Sequence, residues 1–298
     1  MMTSLLDDTL WIDLPAAEAR IEELGKLPGC EKLARHLTDF YRDGFLVLEN
    51  AVSEAAIEAY LGDFDRAAQS EHSIMVSYGR DVFPIAGQDL RKPLLKVLDT
   101  HVKIPSALDL ALAPDIVEVL RILFEGTPLA FQSLHFEVGS TQAIHQDTAY
   151  VVVDRPRRIA AAWIALEDIK PGTGELIYYP GSHRLGEFLY PGNKKHWNPA
   201  TDGEDVHNDH LRWLHETAKA KDVALASFLP KKGDVLIWHA DLAHGGSEIL
   251  DMSATRRSLV VHYTPSVATP HYFNHIPAER RKKVAVHDGY ISSMYYDF

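Results

Sequence analysis

His145-Gln146-Asp147 and, far along the chain, His244 supply the residue types that hold a divalent transition metal. Two neutral imidazoles and one carboxylate form a three-ligand face with open coordination positions, so a metal bound this way does chemistry and does not merely staple a fold. Arg256-Arg257 follows on the next apolar run, where a guanidinium suits bidentate pairing with a carboxylate.

Context selects these ligands from 16 histidines. The pattern His-x-Asp occurs at His145-Gln146-Asp147, His207-Asn208-Asp209 and His239-Ala240-Asp241. The first precedes the apolar run Ala149-Tyr150-Val151-Val152-Val153, read as a strand, and leaves room for several more strands before His244. The second lies in a polar, helix-prone stretch where His207 and His210 would face solvent or touch a lid. The third is too near its own candidate partner, His262, for strands to intervene. His239 competes with His244 as the distal ligand. His244 is preferred because Gly245-Gly246 lets backbone approach closely, leaving His239 as a strand-end residue or a donor behind the ligands.

The elements that must carry these residues change character along the chain. Residues 31–43 set Leu33, Leu37, Phe40 and Tyr41 at helical spacing, with Gly44 as the stop. Phe45-Leu46-Val47-Leu48 reads as a strand, Ser53 as the N-cap of a second helix, and 106–125 as a third helical zone. After Gly126, short runs rich in β-branched and aromatic residues recur at 129–138, 149–153, 159–166, 175–179, 234–238 and 257–263. This spacing predicts a mainly β fold with flanking helices, its core a double-stranded β-helix (jelly roll, cupin-like) with a site in its mouth. One domain over 1–298 is expected: a helical part over about 1–125, a jelly-roll core over about 126–270, and a lid insertion over about 183–232.

Bulk properties set limits. The 42 acidic residues outweigh 30 basic ones, for a net charge of -12. That disfavours nucleic acid as a partner. The single cysteine, Cys30, excludes an internal disulfide framework and fits a reducing compartment. Met1 to Leu14 carries acidic residues and lacks the basic start of a secretory leader. No window reaches the ~20 apolar residues of a membrane span, so a cytoplasmic location is expected. Oligomeric state is not legible.

In this order the motifs resemble the phytanoyl-CoA dioxygenase (PhyH-like) family of Fe(II)/2-oxoglutarate-dependent oxygenases. The matching pieces are His145-Gln146-Asp147, Trp163-Ile164-Ala165-Leu166-Glu167-Asp168, Tyr179-Pro180-Gly181-Ser182-His183, and Gly233-Asp234-Val235 through His244-Gly245-Gly246-Ser247 to Arg256-Arg257-Ser258. Weaker likeness covers Asp43-Gly44-Phe45 and Tyr290 to Phe298. The resemblance implies Fe(II) on His145, Asp147 and His244, 2-oxoglutarate as cosubstrate, and O2 consumed with release of succinate and CO2. It implies that Arg256 meets the remote carboxylate of 2-oxoglutarate, while alternation turns Arg257 to the other face. Where this chain has His244-Gly245-Gly246-Ser247, the family more often has His-Gly-Ser. One inserted glycine would make Ser247 the hydroxyl beside the cosubstrate. Trp163 matches a tryptophan near 2-oxoglutarate, or is a core aromatic. Of Gln132 and His135, alternation lets one face the pocket, and Gln132 is preferred.

Asp147 favours hydroxylation, since halogenating relatives lack that carboxylate. Desaturation, epimerisation and cyclisation stay open. The substrate is expected to be a small molecule. Arg157-Arg158, Arg184 and Lys194-Lys195 could greet an anion at the mouth, with Tyr178, Phe188, Tyr190 and Trp197 as walls. A non-catalytic cupin-like metal or metabolite binder, or a zinc enzyme on the same ligands, are the alternatives. Neither needs Arg256 in the pocket.

Overall fold

In a computed structural model, residues 8–70 and 73–298 are described. Met1–Asp7, on which the leader expectation partly rests, lie outside them. After a 3-10 turn at Trp11–Asp13, the described chain forms α1 (Ala17–Gly25) and α2 (Glu31–Asp43). Helix α2 buries Ala34, Leu37 and Phe40 and stops where Gly44 takes a left-handed φ of 78°, a conformation glycine adopts without strain. Strand β1 (Phe45–Leu48) follows, then α3 (Glu54–Ser70). Ser53 caps α3 by accepting the Ala56 N–H on Oγ at 3.2 Å.

The helical part expected over about 1–125, with its one strand at 45–48, then departs from that expectation. It carries β2 (Met75–Tyr78), β3 (Asp81–Pro84) and β4 (Lys96–Leu98), followed by α4 (Thr100–Lys103), α5 (Ala107–Ala111) and α6 (Pro114–Phe124). The zone at 106–125 is thus two helices. Pro114 disfavours the helical conformation in Ala113, which is extended at ψ 139°, and itself opens a new helix.

The remaining strands are β5 (Pro128–Phe136), β6 (Ala160–Ala165), β7 (Leu176–Tyr178), β8 (Ala226–Phe228), β9 (Val235–His239), β10 (His244–Gly246), β11 (Ser258–Pro265), β12 (Val284–Val286) and β13 (Gly289–Ile291), with α7 (Glu204–Ala220) between β7 and β8. A large sheet runs β1-β9-β6-β11-β5-β4-β2-β3, with β13 paired to β5 and β12 to β13. A small sheet runs β10-β7-β8. The sheets face one another, Phe136, Trp163, Leu236, Trp238 and Val260 packing with Leu176, Tyr178 and Phe228. They form the jelly-roll arrangement without closing into a barrel. The outer face of the large sheet is covered by helices, where Ile57, Phe64, Ile116 and Leu120 join Ala162, Ile164, Ile237 and Val261.

Two further expectations are corrected. Residues 149–153 are no strand. Asp147–Ala149 is a 3-10 turn, held by the Val151 N–H donating to the Asp147 carbonyl at 2.7 Å, and only Val153 makes an isolated bridge, to Pro270. The run is apolar because Val151 and Val153 pack against Leu129, Phe131 and Ile159. The stretch at 183–232 is not all cover either, since its β8 completes the small sheet.

Candidate metal centre and its cavity

The loop after β5 lies alongside β10, and His145 and His244 exchange both backbone hydrogen bonds, each at 2.9 Å. The double glycine makes that approach possible. A Cβ on Gly245 would stand 2.6 Å from the Gln142 carbonyl, and one on Gly246 2.8 Å from Ser140 Oγ and Thr141 N. The 3-10 turn then delivers Asp147 to the same spot. Ligand atoms of His145, Asp147 and His244 all lie within 4.8 Å of one another. Asp147 Oδ1 is 3.8 Å from His145 Nε2 and 3.6 Å from His244 Nε2.

Backbone carbonyls set the tautomers. His145 Nδ1–H donates to the Ala143 carbonyl at 2.8 Å and His244 Nδ1–H to the Leu242 carbonyl at 2.9 Å. Each ring therefore keeps its Nε2 lone pair toward Asp147, as a metal-binding imidazole requires. Burial and the neighbouring His244 push His145 down to about 3, so it is neutral at ordinary pH. Burial alone would raise Asp147, but His244, His262 and His145 outweigh it and hold the carboxyl well below its usual range. Its second oxygen accepts the Trp238 indole N–H at 2.6 Å and lies 3.4 Å from His262 Nε2. Three donor atoms with these partners fit one metal ion, and they fill only part of its coordination shell.

The cluster opens into a cavity of about 530 Å³ lined also by Arg80, Lys96, Gln132, Trp163, Trp197 and Arg256. Arg256 is buried and has no ion pair among the described residues. It donates to Ser258 Oγ at 2.6 Å, while its Nε is buried without a hydrogen-bond partner. Burial draws it down to about 10, against the more distant pull of Glu167 and Glu175. Its guanidinium carbon lies 5.5 Å from the ring centres of both Phe136 and Trp163. An unpaired guanidinium with a free buried donor is an incomplete arrangement unless an anion completes it.

Alternation sorts the rest. Gln132 lines the cavity, whereas His135 points to the opposite face and bonds Tyr60 and Glu137, both at 3.0 Å. Trp163 lies in the wall. Arg257 faces away and pairs with Glu137 at 3.0 Å. Ser247 is outside the cavity: β10 ends at Gly246, and the Ser247 hydroxyl turns to the Glu248 carbonyl at 3.4 Å. His239 also turns away, with Nε2 3.1 Å from Asp13 and Nδ1 accepting the Asp241 N–H at 3.0 Å.

The basic residues expected at the mouth are engaged elsewhere. Arg157 pairs with Glu187 at 2.6 Å, Lys194 with Asp202 at 2.8 Å, and Lys195 with Asp241 at 2.6 Å. Arg158 bonds the Phe124 carbonyl, and Arg184 stacks on Tyr41 at 3.8 Å. Of the expected aromatic walls, Trp197 lines the cavity and Tyr178, Phe188 and Tyr190 do not. Lys96 on β4 was missed. Its ammonium reaches Gln142 Oε1 at 3.2 Å, and burial lowers its pKa. A lone lysine on a three-residue strand gives no periodic signal. His262 could have been found, since it shares the alternating face of β11 with Val260 and follows on from Arg256.

The lid contact of His207 and His210 is a buried one. Tyr150, a cavity-lining residue, bonds His207 Nε2 at 2.9 Å, while Tyr190 bonds Nδ1 of His207 at 3.1 Å and of His210 at 2.8 Å. Trp197 stacks on His207 with ring centres 4.0 Å apart.

A family model for phytanoyl-CoA dioxygenase (PhyH) matches residues 40–257. The chain is 25% identical over 221 residues to the peroxisomal phytanoyl-CoA dioxygenase of Bos taurus, covering 69% of this chain and 61% of that protein. It thus spans about three fifths of that relative's length. Among solved structures, the non-haem α-ketoglutarate-dependent carbocyclase SnoK from nogalamycin biosynthesis aligns with a TM-score of 0.64 and 16% identity, over 90% of this chain and 98% of that one. EctD from S. alaskensis with 2-oxoglutarate and 5-hydroxyectoine aligns with a TM-score of 0.56 and 18% identity, over 84% and 78%. At these identities the two structures speak for the fold. No described helix is long and apolar enough to cross a membrane.

Proposed function

This chain belongs to the phytanoyl-CoA dioxygenase family, and on that premise we propose that it is an Fe(II)- and 2-oxoglutarate-dependent oxygenase hydroxylating a small molecule. His145 Nε2, Asp147 Oδ1 and His244 Nε2 would hold the iron. Arg256 would take one carboxylate of 2-oxoglutarate. Lys96, a half-buried cation of the cavity, is available to an oxygen at the metal end, with Gln132 and Trp163 as wall. Bound there, the iron and its cosubstrate supply the oxidation, with O2 and 2-oxoglutarate going to succinate and CO2 as a substrate C–H bond becomes C–OH.

The residues contribute binding, orientation and exclusion of water. Asp147 keeps its charge because Trp238 and the surrounding imidazoles stabilise it. The Ala143 and Leu242 carbonyls hold the two rings in the ligating tautomer. The single observation that carries the reading is the buried, unpaired Arg256 in the same cavity as the three ligands. A zinc enzyme or a passive metal binder would use the ligands yet leave that guanidinium without purpose.

The test is anaerobic addition of Fe(II) and 2-oxoglutarate, watching for the weak visible charge-transfer band of the chelate. We expect the band in the native chain, its loss in His145→Ala, and in Arg256→Ala at least a tenfold higher 2-oxoglutarate requirement with iron binding retained. A folded native protein that gives no band overturns the proposal.

A further inference from the structure

The cavity is positive in a protein that is strongly negative. Its lining carries Arg80, Lys96 and Arg256 against one carboxylate, Asp147, while the whole chain has a net charge of -12. Under the function proposed above, on which this inference rests, the two positive charges of iron cancel the two negative charges of 2-oxoglutarate. The excess of cations in the lining, one of them paired with Glu204 just outside it, is therefore still present when a substrate arrives. Arg256 is buried and assigned to the cosubstrate, and Lys96 to an oxygen at the metal end. Arg80 remains.

Arg80 lies in the turn between β2 and β3, at the edge of the cavity. Its guanidinium carbon is 5.3 Å from the Trp197 ring centre, and its terminal nitrogen is 2.7 Å from Glu204 Oε1 on the first turn of α7. Both partners of this ion pair are about two-thirds exposed, so water and salt already compete for it. Glu204 is not part of the lining, whereas Arg80 is. Trp197 holds the guanidinium by its face and is itself backed by His207. The arginine can thus change carboxylate partners without losing its position. A planar fork held on an aromatic face suits an oxyanion that enters from the mouth.

We propose that the substrate carries an oxyanion, carboxylate or phosphate, and that Arg80 is its contact, exchanged from Glu204 as the substrate enters. The cavity of about 530 Å³, shared with the cosubstrate, limits the part of the substrate inside to a compact molecule.

The experiment uses the full chain, loaded anaerobically with Fe(II) and 2-oxoglutarate. It is titrated with a panel of small carboxylic acids and phosphate monoesters, each beside its methyl ester or parent alcohol. Shifts of the charge-transfer band give dissociation constants, and O2-dependent succinate release gives turnover. We expect at least one anion to bind about tenfold more tightly than its neutral counterpart. Which half of the panel responds identifies the oxyanion. Arg80→Gln should erase that preference, leaving the neutral compound and the band itself unchanged. Glu204→Gln should move the other way, binding the anion more tightly because its competitor is gone. If Arg80 and Glu204 are only a latch between hairpin and lid, both variants will shift binding in the same direction, and the proposal fails. It fails equally if neutral compounds bind as well as anions, or if no anion in the panel binds. A native protein without any band, before the panel is added, counts against the oxygenase reading instead.

Discussion

Trp238 gives its indole N–H to Asp147 at 2.6 Å, both side chains being buried in the cavity wall. Trp238→Phe keeps the ring's packing between the sheets and removes only that donor. The carboxylate then loses a hydrogen bond that favours its charged form and orients its ligating oxygen. We expect metal affinity to fall about 10- to 100-fold, read by anaerobic Fe(II) titration, with circular dichroism unchanged. Unaltered affinity would mean that His262 and the two ligand imidazoles suffice to hold Asp147. At this scale the sequence was most legible for His145, Asp147 and His244, whose donor atoms the fold brings together, and for Arg256, which lines the same cavity. One inserted glycine would set Ser247 beside the cosubstrate, whereas the fold leaves Ser247 out of the cavity lining. The structure gives Gly246 a different use, leaving room for Ser140 and Thr141 to cross close beside it.

Helix α7 is docked by imidazoles instead of apolar side chains alone, and this makes the cover sensitive to pH. Burial, with His207 and Lys195 nearby, pushes His210 down to about 4, while Asp241 pulls weakly the other way. His207 is also lowered, chiefly by burial. A docked imidazole with a depressed pKa binds fewer protons than a free one. The docking free energy is therefore full above the ordinary histidine value of 6.5. It is lost as pH falls from there toward about 4, by up to about 3 kcal/mol for His210. Hydrogen-exchange protection factors over 204–220, corrected for the intrinsic pH dependence of exchange, should fall at pH 5 relative to pH 7.5, and His210→Gln should flatten the difference. Equal protection at both pH values would show that Leu214 and Ala218 carry the docking. The amphipathic helices were legible from periodicity, and the long strands β5, β6, β9 and β11 from runs of β-branched and aromatic residues, since nearly every position in them is buried. Strands β2, β3 and β4 were not, because three or four residues are too few for a period of two to stand out. The run at 149–153 misled for the converse reason, being apolar from burial under a loop and not from pairing.

Across the whole molecule, the proposed metal ligands come from separate layers. His244 belongs to the small sheet, His145 and Asp147 to the loop leaving the large one, and Trp238 and Arg256 to two further segments of the large sheet's side. No local segment holds the site by itself, so the unfolded chain has little affinity for metal or cosubstrate and binding must act on global stability. At ligand concentrations near 100 times Kd, linkage gives about 2.7 kcal/mol, which for a chain of this size raises Tm by roughly 5 °C. Fe(II) and 2-oxoglutarate together, added anaerobically, should produce such a rise, and a chelator should reverse it. Arg256→Ala should keep the part due to metal and lose the part due to 2-oxoglutarate, while His145→Ala should lose both. That hierarchy follows from the geometry, since a chelating cosubstrate needs the metal first and the guanidinium second. If 2-oxoglutarate stabilised the His145→Ala protein as much as the native one, its site would lie elsewhere in the fold. The three ligands and Arg256 would then have to be explained separately.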